Sequence, residues 1–190
     1  CGSLDLHLAA HDVAVKRARE LIDVLATLPD LTVVSSASGC GVTIKEYGQL
    51  LKNDTAYAEK AAKVSAMCRD VSEVIAEEVS KLKQTPQKKP LKVVFQNPCS
   101  LQHGQKVTGK VETVLQQYGY EIIPVNDSHI CCGSAGTYSI MQPELSSRLK
   151  DNKLKLLQQA SPDVIVTANV GCQLHLRSAA KVPVMHWIEL

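Results

Sequence analysis

Four cysteines in the C-terminal half of the chain have the types and spacing to serve a metal centre. Cys131 and Cys132 are adjacent, and adjacent side chains rarely form a disulfide with each other without strain. Neighbouring thiols can instead reach separate irons of one polynuclear centre, because each iron accepts its own sulfur. Cys99 and Cys172 each follow a predicted strand. The four thiolates are therefore expected to converge.

The segments around these cysteines alternate between strand and helix. Their apolar patterns predict strand 91–95, helix 106–118, strand 121–125, helix 143–159, strand 164–167 and a short helix after residue 172. Such alternation is typical of a parallel sheet covered by helices. In open sheets of this kind ligands bind beyond the carboxyl ends of the strands, where the cysteine loops would lie. Helix N-termini after Gly133 and near Cys172 would place backbone N–H groups beside the thiolates.

The N-terminal half predicts a helix at 13–28, a strand at 31–35, a helix at 44–51 and a long amphipathic helix at 55–82. Residues 84–90 are polar and contain two prolines, which predicts a linker. The predicted division is residues 1–83, linker 84–90 and residues 91–190. The fold class is α/β, with parallel sheets flanked by helices.

An internal repeat relates the two halves. The motif Cys-Gly-Ser begins at both Cys1 and Cys132, and each copy is followed by a helix, a β-branched strand and the dipeptide Gly-Cys at Cys40 or Cys172. The intervals are 40 − 1 = 39 and 172 − 132 = 40 positions. The repeat predicts two related units, of which the first lacks its opening portion here. Cys1 and Cys40 are then expected to be the remnant of a first site.

The four-cysteine set has three interpretations. An iron–sulfur cluster suits vicinal thiols best, but four cysteines suit structural zinc equally well, and a redox or merely buried thiol group is the third alternative. His103, His129 and His175 lie near these cysteines in sequence and are expected to orient the loops or to hydrogen-bond the cluster sulfurs. Cys68, within an apolar pattern, is expected to be a small buried hydrophobe.

Composition argues against several other functions. The 21 basic and 19 acidic side chains leave a charge of only +2, too little for a nucleic-acid binder. No apolar run approaches the roughly 18 residues of a membrane span. Seven cysteines, an odd number, fit a disulfide-stapled secreted domain poorly and favour a reducing compartment. No glycine-rich dinucleotide fingerprint and no catalytic residue set at motif spacing is present, so no catalytic residue is predicted.

These motifs carry a resemblance to a known family. Cys99, the run Cys131-Cys132-Gly133 and the later Cys172 resemble the cysteine-rich CCG domain of heterodisulfide reductases, lactate-utilisation proteins and iron–sulfur subunits of glycolate and glycerol-phosphate dehydrogenases. The segments KEYGQLL, HICCGSAGTYSIMQPELS and PVMHWIEL are most similar to the glycolate-oxidising group. That resemblance implies two CCG domains preceded by a ferredoxin-type region.

The resemblance also implies a function. It predicts a cluster, expected to be 4Fe-4S, in an electron-transfer subunit of a glycolate-oxidising dehydrogenase. Flavin-containing partner subunits would carry FAD and oxidise the substrate, and electrons would pass to a respiratory acceptor such as quinone. The expected location is the cytoplasm, at the inner membrane through the complex. The alternatives are a zinc-stabilised assembly module and a heterodisulfide-reductase-like or lactate-oxidising subunit.

One departure from the family pattern bears on the cluster. The family motif ends in Cys-x-x-Cys, yet Asn169 stands at its first position in the complete copy and Ala37 in the other. The five-cysteine arrangement of the heterodisulfide reductases is therefore not intact, which disfavours thiol–disulfide chemistry and leaves four ligands for one cluster.

Overall fold

The structure is a computed structural model that describes residues 1–28, 31–82 and 90–190. The chain divides into Cys1–Val71, here unit 1, and Ser72–Leu190, here unit 2. Apart from Pro90, the predicted linker 84–90 lies outside the described residues and stays a prediction. None of the helices in the described ranges is long and apolar enough to cross a membrane.

Unit 1 packs helices around a short parallel strand pair. Its elements are α1 (Ser3–His7), α2 (His11–Leu25), β1 (Val33–Ser35), α3 (Ser38–Lys45), α4 (Tyr47–Leu50), α5 (Ala58–Met67) and β2 (Cys68–Asp70). Strands β1 and β2 are parallel, with Ser35 opposite Asp70. Ile22 of α2, Tyr47 of α4 and Val64 of α5 share one buried core. This apolar contact explains the helical periodicity of α2 and α5.

One helix prediction in this region is wrong, and a second is correct except for a break. The long helix predicted at 55–82 is interrupted, because α5 ends at Met67 and Cys68–Asp70 pairs with β1 before α6 (Val71–Glu78) begins. Strand pairing here outweighs a helical pattern that is only a weak preference. The helix predicted at 44–51 is two helices, α3 and α4, which meet at Glu46.

Unit 2 is built on a four-stranded parallel sheet. Its strands are β3 (Lys92–Gln96), β4 (Glu121–Ile122), β5 (Val164–Thr167) and β6 (Val184–His186), in the order β4-β3-β5-β6. Its later helices are α7 (Lys110–Gln117), α8 (Tyr138–Met141), α9 (Pro143–Gln158) and α10 (Val170–Arg177). All four residues of β5 are buried, as expected of a central parallel strand. The predicted α/β class with parallel sheets is confirmed.

The strand order places a topological switch between β3 and β5. From β3 the chain crosses to β4 on one side, and it later returns to β5 on the other side. Loops that leave two such strands diverge, and the crevice between them is the usual binding position in open α/β sheets. Residues Val184–His186 add the edge strand β6, which pairs with β5.

Several boundaries in unit 2 differ from prediction for local reasons. Strand β4 is short because Pro124 has no N–H with which to extend the ladder. Helix α7 begins at Lys110 rather than at 106, because Lys106 and Gly109 have φ of 58° and 73°. No helix starts directly after Gly133, since α8 begins at Tyr138. Helix α10 begins at Val170 and includes Cys172 instead of following it.

Candidate metal centre

The four predicted cysteine ligands come from three segments at the carboxyl edge of the unit 2 sheet. Cys99 follows β3 and leads into a π-helical turn, Ser100–Gly104. Cys131 and Cys132 lie in the loop between β4 and α8, and Cys172 is the third residue of α10. Because β3 and β5 are neighbours, the loops after them meet at the topological switch.

The sulfurs of these four cysteines form a chain of contacts. The Cys132 thiol donates a hydrogen bond to Cys172 Sγ over 3.2 Å, and both residues are buried. Cys131 is hydrogen-bonded to Cys132 and also to Cys99. The structure therefore brings together all four residues that the sequence analysis selected.

Charge is unequally distributed along this chain of sulfurs. Hydrogen bonds from Cys132 and Cys99 lower the pKa of Cys131 to about 2. Cys132 has a single S–H proton to share between Cys131 and Cys172, and its hydrogen bond to Cys172 also lowers the pKa of Cys172. The hydrogen bonds to Cys131 raise the pKa of both Cys99 and Cys132. Without metal, the group therefore has a thiolate at Cys131 and protonated thiols at Cys99 and Cys132.

Nitrogen donors approach the sulfurs of Cys131 and Cys172. The Gly133 N–H donates to Cys131 Sγ at 3.3 Å, and the Asn169 side-chain amide approaches Cys172 Sγ at 3.7 Å. Asn169 occupies the position at which the family motif has a further cysteine, so an amide donor replaces a ligand there. Cys172 also lies in the first turn of α10, where the helix dipole favours negative charge.

Position 133 requires glycine for two reasons, its backbone conformation and the lack of space for a side chain. Its φ is +91°, and a Cβ there would lie 2.5 Å from the Ser146 carbonyl oxygen. The Ser146 hydroxyl donates to the Gly133 carbonyl at 2.8 Å and also lies 3.1 Å from His175 Nε2. Helix α9 thus holds the Cys-Cys-Gly loop at its backbone.

The three predicted histidines have different environments. His175 reaches the cysteine loop indirectly through Ser146, and burial lowers the pKa of its imidazole. His103 and His129 are exposed. Their predicted role as hydrogen-bond donors to a cluster stays a prediction.

Two strong polar contacts near the site were not anticipated from the sequence. The Thr167 hydroxyl of β5 donates to Gln96 Oε1 of β3 over 2.6 Å, and both side chains are buried. This bond joins the ends of the two strands whose loops carry Cys99 and Cys172. The second is made by the fully buried Lys153 of α9, whose ammonium donates to the Ser128 carbonyl at 2.7 Å.

Unit 1 contains a smaller cysteine group. The Cys1 thiol donates to Cys40 Sγ at 3.3 Å, and the Tyr47 hydroxyl donates to the Cys1 carbonyl at 2.9 Å. Burial raises the pKa of Tyr47 to about 12. Cys68 is buried in the same core, as predicted, although it lies in a strand rather than a helix.

The sulfurs contact one another rather than surrounding a common centre. Across the described residues, no group of three or more His, Cys, Asp or Glu side chains is arranged to hold a metal ion. The donor set nevertheless fits an iron–sulfur cluster chemically, since it offers four cysteine sulfurs, N–H donors directed at sulfur and a buried cation. These features suit an anionic centre whose ligands are buried at Cys132 and Cys172, half-buried at Cys131 and exposed at Cys99.

Comparisons with known proteins agree with the motif-based resemblance. Residues 93–177 match the family described as the cysteine-rich domain CCG. The chain is 46% identical over its full length to the glycolate oxidase iron-sulfur subunit of Escherichia coli, covering 47% of that protein. It is 30% identical over 93% of its length to the probable glycolate oxidase iron-sulfur subunit of Bacillus subtilis, covering 40% of it.

A more distant relative has a different name. Lactate utilization protein A of Bacillus licheniformis is 27% identical over 83% of the chain, which covers 68% of that relative. The chain thus spans less than half the length of the two glycolate oxidase relatives. These matches confirm the predicted resemblance.

Proposed function

We propose that this chain binds an iron–sulfur cluster and transfers electrons. The proposal starts from two similarities: residues 93–177 match the CCG family, and the full length of the chain resembles a glycolate oxidase iron-sulfur subunit. The ligands would be Cys99, Cys131, Cys132 and Cys172. The observation that carries the proposal is their convergence in one hydrogen-bonded group at the switch between β3 and β5.

The polypeptide would prepare and protect the ligands. The thiolate of Cys131 is ready to bind metal, while Cys99 and Cys132 must each release a proton. The contacting sulfurs must also separate so that each can bind iron. A bound cluster would supply one-electron transfer, and burial together with N–H donors would tune its potential. Four protein sulfurs favour the 4Fe-4S type.

The full protein would act within a larger assembly. We propose an electron-transfer subunit of a glycolate-oxidising dehydrogenase, which receives electrons from an FAD-containing partner and delivers them to a respiratory acceptor such as quinone. The names of the two glycolate oxidase relatives support glycolate. The lactate-utilisation relative makes lactate the alternative substrate. The proposed location is the cytoplasm, with attachment to the inner membrane through partners.

The structure also supports a proposal of two related CCG units. In unit 2, β5 pairs with β6 and leads into α10 and Cys172, while in unit 1 β1 pairs with β2 and leads into α3 and Cys40. Both pairings are parallel, and both following helices contain eight residues. We propose Cys1 and Cys40 as part of a first site that corresponds to Cys132 and Cys172.

Anaerobic reconstitution tests the proposal. The chain is treated with iron and sulfide, desalted and analysed for iron, acid-labile sulfide, zinc and the EPR signal of a reduced cluster. We expect about four irons and four sulfides per site for the 4Fe-4S type, and their loss in Cys132→Ser. Absence of iron and sulfide from the wild-type chain would contradict the proposal. Tightly bound zinc without sulfide would support the assembly module instead.

A further inference from the structure

Lys153 differs from the other lysines of helix α9. The helix also carries Lys150 and Lys155, and Lys155 is exposed. Lys153, in contrast, has 0% exposure. Leu154, the next residue in the sequence, and Leu157, about one helical turn later, are buried as well. Placing a lysine on the buried side of a helix is unfavourable unless its charge is compensated.

One polar contact fixes the buried ammonium. Lys153 Nζ donates to the Ser128 carbonyl oxygen at 2.7 Å. Ser128 lies three residues before Cys131, in the loop that presents the vicinal cysteines. A carbonyl oxygen satisfies one of the three ammonium donors but does not neutralise its charge.

The compensating charge comes from the cysteine group. In the described ranges, no carboxylate forms an ion pair with Lys153. The groups that act on it electrostatically are the four cysteine sulfurs, with Cys132 first, and all four become negatively charged when they bind metal. Burial lowers the pKa of Lys153 and these sulfurs oppose that effect. A buried cation beside four cysteines, without a carboxylate, matches a site that becomes negatively charged.

We propose that Lys153 is a positioning residue of the cluster site, whose buried positive charge favours the reduced, more negative state and so raises the reduction potential. The inference rests on the proposed iron–sulfur function. An added electron increases the negative charge beside the ammonium, and attraction in a buried environment is stronger than in water. The hydrogen bond to Ser128 would keep the charge near the Cys131 loop.

The experiment measures the midpoint potential of the reconstituted chain by EPR-monitored titration. Lys153→Met removes both charge and hydrogen bond, Lys153→Gln keeps a donor without charge, and Lys153→Arg keeps the charge. Lys155→Met on the same helix is the matched control outside the buried face. We expect Lys153→Met and Lys153→Gln to reduce the ratio of reduced to oxidised cluster at least about tenfold at fixed potential, equal to about 59 mV for one electron.

Lys153→Arg and Lys155→Met are expected to keep potentials close to wild type. If Lys153→Met and Lys153→Gln do not retain the cluster, the iron content of Lys153→Arg is the deciding measurement. Iron retained by Lys153→Arg would support a requirement for positive charge, and loss of iron from Lys153→Arg as well would contradict that requirement. Unchanged potentials in fully loaded Lys153→Met and Lys153→Gln would also overturn the inference. Failure of the wild-type chain to load iron would instead overturn the proposed function.

Discussion

Units 1 and 2 place a cysteine pair on the same kind of framework, but they surround it differently. Cys1 and Cys40 lie 3.3 Å apart at their sulfurs, and Cys132 and Cys172 lie 3.2 Å apart. In each pair, one cysteine precedes a glycine of positive φ and the other lies in the first turn of a helix after a parallel strand. The pair is therefore a product of this strand–turn–helix arrangement.

The two units differ in the additional residues that lie around the cysteine pair. Cys99 and Cys131 extend the unit 2 pair into a group of four, and the buried Lys153 adds a positive charge. In the described part of unit 1, the Tyr47 hydroxyl donates to the Cys1 carbonyl beside the pair. The comparison indicates that paired cysteines come from the fold, while a four-sulfur centre requires the loop after β3 and the vicinal Cys131.

Removing one cysteine from each pair tests this comparison most strongly. In the reconstituted chain, we expect Cys172→Ser to reduce iron at the unit 2 site to background and Cys40→Ser to leave that site loaded, because Cys40 is not one of its four sulfurs. Iron analysis and EPR measure the outcome. Equal losses of iron in both variants would show that the cysteine groups of units 1 and 2 do not act separately. Normal iron loading of Cys172→Ser would show that Cys172 is not a ligand.

The glycine that follows Cys132 provides a test of stability. Gly133→Ala combines unfavourable φ with overlap of the Ser146 carbonyl, so we expect a loss of about 2–4 kcal/mol in the free energy of unfolding. Gly119→Ala is the control, since φ there is +84° with nothing within 4 Å, and it should cost only about 1–2 kcal/mol. Urea denaturation measures both values, and equal losses would exclude the steric contribution.

Metal binding by the four-cysteine group should depend on pH. Because the pKa values of Cys99 and Cys132 are raised, both protons are present in the metal-free site at neutral pH and must leave on binding. Affinity should thus rise with pH, by about tenfold per unit for each proton released. Titration with Co²⁺, whose thiolate complexes absorb visible light, measures it. A metal affinity that stays constant between about pH 6 and 8 would contradict the assigned protonation of Cys99 and Cys132.

The smallest expected effects concern the hydroxyls that hold each loop. Ser146→Ala removes the bond to the Gly133 carbonyl in unit 2, and Tyr47→Phe removes the bond to the Cys1 carbonyl in unit 1. Each should lower the free energy of unfolding by about 1 kcal/mol, the usual net value of such a bond. Denaturation curves provide the measurement. A much larger loss for one hydroxyl would show that the two loops are supported unequally.

Much of the candidate site was predictable because strand ends determine where loops meet. The β-branched run at 164–167 and the apolar run at 91–95 identify neighbouring parallel strands, and the cysteines after them must then share a sheet edge. Helix α9 was also predicted closely, because Pro143 marks its first turn. Both predictions depend on strong local signals.

Other features depend on contacts that local patterns do not reveal. Cys68–Asp70 has helical periodicity on both sides, yet it becomes a strand because β1 provides a pairing edge. Lys153 was missed because lysines on a helix are usually solvated. One signal was present: Leu149, Lys153 and Leu157 recur at intervals of four, so the lysine interrupts an apolar stripe.

The buried bond between Thr167 and Gln96 has a consequence for the metal-free form. It fastens β3 to β5 directly beneath the cysteine loops, in addition to their backbone ladder. The frame of the centre is therefore part of the folded core, and we expect it to assemble without metal, in contrast to small zinc domains that unfold without their ion. A chelator should accordingly remove metal from the loaded protein while its circular dichroism and cooperative melting persist.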